Sequence, residues 1–343
     1  MKTVKAVQPY IHSGHLNFKL APYRAWMSVA SHGMEGTVAP PLYPPRVLHG
    51  LAFKYEMPKI FSLPLFRGKC AILMFVEPVS LYFDTFPYYV SHEIIPMFWD
   101  CWPCYYDKVE KWLRKHNVKT AIFTSRQEME EVKTRIPELN TLWCPEAVDI
   151  SQYKQGKDLK DRNIDLLEFG RSNIKVLGES FYKHDLSKDS LELSGTKTIS
   201  HVCTQANGKF LYNNEELYEL MGDAKITICL PKSMTHPDIA EGVETLTQRY
   251  WEAMLSRIVI VGHAPKELID FIGYNPVVEL FVDSTIASDV SVRELINGIM
   301  ENIENYQKLV DMNRKTALRM GNWTLRMEVI KEWLISLGYK CNC

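Results

Sequence analysis

Two glutamates with seven residues between them, Glu244 and Glu252, form the densest concentration of chemistry-bearing residues in the chain. They lie in Glu241-Gly-Val-Glu-Thr-Leu-Thr-Gln-Arg-Tyr-Trp-Glu-Ala-Met-Leu255, between an apolar run ending near Leu230 and another beginning at Ile258. Thr245 and Gln248 have the spacing of a capping box, which predicts a helix from about Leu246. Glu244 then stands just outside the helix and Glu252 about two turns inside it. Open α/β sheets bind ligands in the crevice beyond the carboxyl ends of their strands, and Glu244 falls there. The unpaired N–H groups and partial positive charge of a helix N-terminus suit a diphosphate. Arg249, near the start of the helix, adds a fixed cation. Taken alone, such charges read as the solvated face of an amphipathic helix, because charged residues are mostly exposed.

A second concentration runs from Leu81 to Tyr106 and holds ten aromatics: Tyr82, Phe83, Phe86, Tyr88, Tyr89, Phe98, Trp99, Trp102, Tyr105 and Tyr106. Core packing is the ordinary use of such rings. They also stack on sugars and anchor proteins at lipid interfaces. In the functional alternative the stretch forms a cleft for an acceptor, with Asp100 or His92 near its hydroxyl, where such a residue is the expected base if the transfer inverts. Cys101-Trp-Pro-Cys104 has the spacing of a redox pair, and Cys341-Asn-Cys343 would complete a four-thiolate zinc site. Eight cysteines in a chain without a secretion signal read more simply as free thiols. His12, Gly14 and His15 would suit a glycine-rich turn, or a plain surface loop.

The elements that must position these residues are α/β. Cys70–Val76 and Lys119–Thr124 are short apolar runs of the buried parallel-strand type. Ser125 and Glu128 repeat the capping-box spacing and open a helix through about Arg135. A polar stretch, Ser151–Asn163, marks a domain boundary. Beyond it, strands are expected at Asp165–Phe169, Lys197–Val202, Lys225–Leu230 and Arg257–Val261, with helices at Asn214–Met221 and Thr245–Ser256. The tail keeps a helical period through Val292, Ile296, Ile299 and Ile303, and again through Trp323, Met327, Ile330 and Leu334. Residues 1–65 give no clean period.

A chain of 343 residues suits two domains, and 46% apolar with 24% charged residues is ordinary globular composition. A net charge of −1 supplies no global field for nucleic acid. No apolar run is long enough to span a bilayer, and the N-terminus lacks the apolar core of a signal peptide. The expected location is the cytoplasm, with any membrane association peripheral and through the substrate.

The segment around Glu244 resembles the GT-B glycosyltransferases, specifically family 4 and related group 1 enzymes. Their pattern of two glutamates separated by seven residues, then Ala-Met, then a strand ending in Gly, is matched by Glu244, Glu252, Ala253, Met254 and Ile258–Gly262. Phe169-Gly170-Arg171, Pro145-x-x-Val148-Asp149 and Asn322-Trp323 match further family positions in the same order, so the likeness covers roughly residues 115–340. Thr247 and Arg257 stand where glycine is usual, and Thr247-Gln-Arg249-Tyr-Trp-Glu252 fits a variant found in spore-coat-type relatives.

The resemblance implies two facing Rossmann-like domains: residues 1–150 on the acceptor side, 151–320 for the donor, and a helix in 321–343 crossing back to the first. It implies that Glu252 binds the donor ribose and Glu244 the transferred sugar. Arg171, Arg249, the amides around Thr247, and Lys232 or Lys175 would face the diphosphate. Cationic side chains and the helix terminus replace a metal in such enzymes, so neither metal nor cofactor is expected. The implied activity is metal-independent, retaining transfer from a nucleotide sugar to a glycan or lipid-linked acceptor, in surface polysaccharide synthesis. A sugar-nucleotide epimerase and a non-catalytic nucleotide- or glycan-binding partner are the alternatives.

Overall fold

The computed structural model describes residues 1–7, 70–170, 173, 192–193, 196–202, 214–280 and 289–341, with isolated positions between 8 and 69. His12, Gly14, His15, Arg171, Lys175, Cys203 and Cys343 lie outside the described residues. The chain divides into two compact units. One comprises Met1–Glu146, Asp238–Val243 and Trp323–Cys343; the other comprises Ala147–Pro237 and Glu244–Asn322.

In the first unit β1 (Lys2–Val7), β2 (Cys70–Val76), β3 (Glu93–Phe98), β4 (Thr120–Phe123) and β5 (Asn140–Trp143) pair in that order, all parallel. Ala71–Val76 and all of β4 are buried, as strands covered on both faces must be. α1 (Tyr106–Lys115) buries Tyr106, Val109, Trp112 and Leu113, a helical stripe facing the sheet. α2 (Arg126–Arg135) begins after Ser125, but Ser125 makes no side-chain cap bond and Glu128 is fully buried, so the box itself is not formed. Most of the aromatic stretch is core: Tyr82, Tyr88, Tyr89, Phe98, Trp102 and Tyr106 are all buried.

The second unit has six strands, β6 (Ile164–Gly170), β7 (Glu192–Leu193), β8 (Thr196–Val202), β9 (Ala224–Cys229), β10 (Val259–Gly262) and β11 (Val277–Glu279). Their order is β11-β10-β9-β6-β8-β7, parallel except for the β7–β8 pair. The chain leaves β6 for β8 on one side and returns to β9 on the other. The order therefore reverses between β6 and β9, the switch point at which such sheets form their crevice. Its helices are α3 (Asn214–Asp223), α4 (Gln248–Leu255), α5 (Lys266–Ile272), α6 (Asp289–Glu301) and α7 (Gln307–Met320). The chain then rejoins the first unit as α8 (Trp323–Ser336) and β12 (Tyr339–Lys340), which pairs in parallel with β1.

Two expectations need correcting. The helix expected from Leu246 starts at Gln248, with Thr247 as its N-cap in extended backbone. The Leu246 N–H is already taken by the Glu267 carboxylate, and the Gln248 amide reaches Ala147 O at 3.1 Å instead of turning back to Thr245. The strand expected from Arg257 starts at Val259, because Arg257 sits in left-handed backbone (φ 56°) just past the end of α4. Glycine usually serves there. Here the buried guanidinium is held by Asp158 at 2.8 Å and Asp311 at 2.7 Å.

Candidate functional site

β6 ends at Gly170 with φ 75°, and a Cβ there would lie 2.9 Å from Arg249 Cδ. A glycine at this position lets Arg249 lie across the end of β6. Its Nη2 donates to Leu230 O, just past β9, at 3.2 Å. The guanidinium thus bridges the two strands of the switch point. Arg249 is only 9% exposed, and its Nη1 has no hydrogen-bond partner among the described residues. Leaving a buried charged donor unsatisfied costs about 1–3 kcal/mol or more, so such an atom marks where an anionic ligand belongs. Thr247 Oγ1, at the N-cap of α4, is also buried without a partner among the described residues. Lys232 opens the short helix Lys232–Thr235 immediately after β9.

Glu252 lies one turn further along α4 and is half-buried. Its Oε1 accepts a hydrogen bond from Tyr153 Oη at 2.9 Å. Desolvation raises the carboxyl pKa above its ordinary value, while the Tyr153 bond and the Arg249 charge oppose the shift. Burial, and then the charge of Glu252, push the Tyr153 phenol well up, so at neutral pH it is a neutral donor. Tyr218 packs edge-on to Tyr153, with ring centroids 4.9 Å apart, and its own phenol is pushed up to about 12.

Glu244 lies in the segment before α4, and His263, the first residue after β10, reaches it. His263 Nε2 is 3.2 Å from Glu244 Oε1, and Nδ1 is 2.9 Å from Glu279 Oε2 at the end of β11. The structure therefore gathers Arg249, Glu252, Thr247, Lys232 and Glu244 on the segments that follow the second unit's strands. Asp100 belongs to the first unit, where it is exposed just after β3 in left-handed backbone (φ 54°). Arg171 is not among the described residues. The six described cysteines are free thiols; Cys101 is buried, which pushes its thiol pKa up, and Cys104 is exposed. Among the described residues no group of three or more His, Cys, Asp or Glu could hold a metal. No helix among them is long and apolar enough to cross a membrane.

No family model matches the chain, and no curated protein matches it by sequence. Solved structures do. HepE of Anabaena, crystallised with UDP and glucose, superposes with a TM-score of 0.62 at 12% identity over 97% of this chain and 100% of its own. Sucrose-phosphate synthase of Thermosynechococcus elongatus gives 0.57 at 12% identity over 98% and 99%. AviGT4, a glycosyltransferase involved in avilamycin A biosynthesis, gives 0.52 at 14% identity over 98% of both chains. The chain has the GT-B fold.

Within that fold, sequence reasoning overlooked Tyr153, His263 and Glu279. His263 carried a usable signal, since it directly follows the glycine that ends β10. Tyr153 carried none, because its partner lies 99 residues away.

Proposed function

We propose that the chain is a glycosyltransferase acting on a nucleoside diphosphate sugar. One observation carries this reading: the buried Nη1 of Arg249, without a partner among the described residues, at the opening turn of α4, where the second sheet reverses its strand order. A diphosphate would supply the missing acceptor, and the first N–H groups of α4 would add to it. Glu252, oriented by Tyr153, would accept from the ribose hydroxyls. Glu244 would contact the sugar. The anomeric C–O bond breaks toward the diphosphate, which leaves with the bonding electrons. The acceptor oxygen then bonds to the anomeric carbon and gives up its proton to the departing diphosphate. Arg249, Lys232, Arg171 and the helix terminus would stabilise the departing charge without a metal. UDP is the first nucleotide to test, because HepE was crystallised with UDP, with UDP and glucose, and with UDP-glucose. Retention of configuration, hexose as the group moved, Asp100 at an acceptor hydroxyl, and a glycan or lipid-linked acceptor in surface polysaccharide synthesis are the finer parts of the proposal.

A thermal-shift series with UDP, GDP, dTDP and CMP tests it. One nucleotide should raise the melting temperature, and Arg249→Met should sharply reduce that rise at the same nucleotide concentration. Glu244→Gln should keep it while losing turnover of the corresponding sugar nucleotide. If no nucleotide stabilises the protein, the reading fails.

A further inference from the structure

Gly262 ends β10 with φ 149°, and a Cβ there would lie 1.9 Å from Cys229 O. Only glycine allows so close an approach of β10 to β9. The approach fixes the next residue at both backbone groups. The His263 N–H donates to Cys229 O at 3.1 Å, and its carbonyl accepts from Tyr250 Oη at 2.6 Å. The imidazole is therefore carried on an anchored backbone and spans Glu279 and Glu244. Glu279 is itself held. Its Oε1 accepts from the Ala264 N–H at 3.1 Å and from Asn275 Nδ2 at 2.7 Å, which leaves Oε2 for the ring. Glu244 belongs to no helix or strand. Ionised carboxylates only accept hydrogen bonds, so an imidazole between two of them is satisfied when both nitrogens carry protons, or when one carboxyl does. The Nδ1–Glu279 contact has hydrogen-bond geometry, and the Glu244 carboxylate stands at ion-pair distance from Nε2, so a protonated ring holds it beside the end of β10.

We propose that His263, locked by Glu279, is a positioning residue that fixes the carboxylate of Glu244 towards the transferred sugar. The inference rests on the reading of Glu244 given above. A ring that merely filled space would serve equally well as leucine. A ring that aims a carboxylate would not, since a misplacement of about 1 Å in such a site can cost on the order of a hundredfold in rate.

The bridge is tested first without activity, in the full chain labelled with 15N-histidine. Glu244→Gln should shift the Nε2 resonance of His263, and Glu279→Gln should shift Nδ1. If neither nitrogen responds, the proposal is overturned whatever the enzyme does. The second measurement uses UDP and UDP-glucose. His263→Leu should lower kcat on the order of tenfold to a hundredfold with Kd for UDP unchanged, and His263→Gln, which keeps a donor, should recover part of the loss. Adding Glu279→Gln to His263→Leu should cost nothing further, because the two act as one unit. Additive losses, or a changed KM with kcat intact, would overturn the positioning role. If the wild-type chain does not turn over UDP-glucose at all, the functional reading fails for that donor, and the ring resonances alone decide the bridge.

Discussion

At the carboxyl ends of β2 and β3 the first unit presents rings. Phe75 and Trp99 meet edge to face with centroids 3.9 Å apart, and Trp323 from α8 stacks on Trp99 at 6.1 Å and 20°. At the carboxyl ends of β6 and β9 the second unit presents a glycine, a buried arginine with an unsatisfied nitrogen, and two glutamates. Both sheets have buried parallel strands at their centres, yet the ends of these strands are completed differently. The aromatic end is packed by the protein's own side chains. Buried polar atoms without a described partner occur in both units, the indole nitrogens of Trp112 and Trp323 among them, but at the polar end the atom belongs to a charged guanidinium, which costs more to leave desolvated. Both interiors hold fully buried rings, Trp112 and Trp102 in the first unit and Trp251 and Tyr250 in the second. The second is clasped by buried cations, with Arg162 donating to the carbonyls of Lys157, Ala224 and Ser256.

The contrast can be broken from either side. Trp112→Ala should cost about 4 kcal/mol through lost burial and the cavity left behind. Hydrogen exchange should localise the loss to β2, β3 and β4, and a uniform loss over both sheets would contradict the division. Arg162→Met should cost about 3 kcal/mol, because two buried carbonyls and a part-buried one lose their donor, with exchange quickening in β6 and β9 instead. A smaller effect sharpens the functional side. Arg249→Met should weaken UDP binding by about 2 kcal/mol, roughly thirtyfold in Kd by calorimetry. Trp99→Leu, at the aromatic end, should leave that Kd unchanged. Equal losses from the two substitutions would remove the distinction.

The parts of this molecule legible in its sequence were those whose signal is local. β2 is an unbroken apolar run, β4 is one after Thr120, and β9 is mostly apolar around Lys225 and Thr227; burial on both faces produces such runs. β3 was hidden by Pro96, which sits within a paired central strand opposite Met74, a place where proline ordinarily argues against a strand. β11 and β12 are three and two residues long, too short for any period to appear. Arg249 and Glu252 could be grouped from sequence because one short helix carries both. Their partners could not: the Tyr153 and His263 contacts are made by tertiary packing. The start of α4 was misplaced because a capping box counts spacing, whereas the outcome depended on the Leu246 N–H being occupied by a carboxylate from α5.

Glu252 offers the smallest effect, but one whose sign is diagnostic. Desolvation raises its folded-state pKa above that of the unfolded chain, so folding favours the protonated form. That contribution is complete below the unfolded value, about 4.3, and is lost as pH rises through the folded value. As pH rises through the folded value, the fold comes to hold an ionised carboxylate in a place that resists it. Glu252→Gln removes the charge while keeping an oxygen to accept from Tyr153. The variant should melt higher than wild type between about pH 7 and pH 8, and the difference should shrink towards pH 4. A difference that stays constant across this range would mean that desolvation is not the governing term. The same substitution should weaken UDP binding. A residue whose replacement stabilises the fold and weakens the ligand is one retained for recognition, and the ring-packed end of the first sheet should contain none.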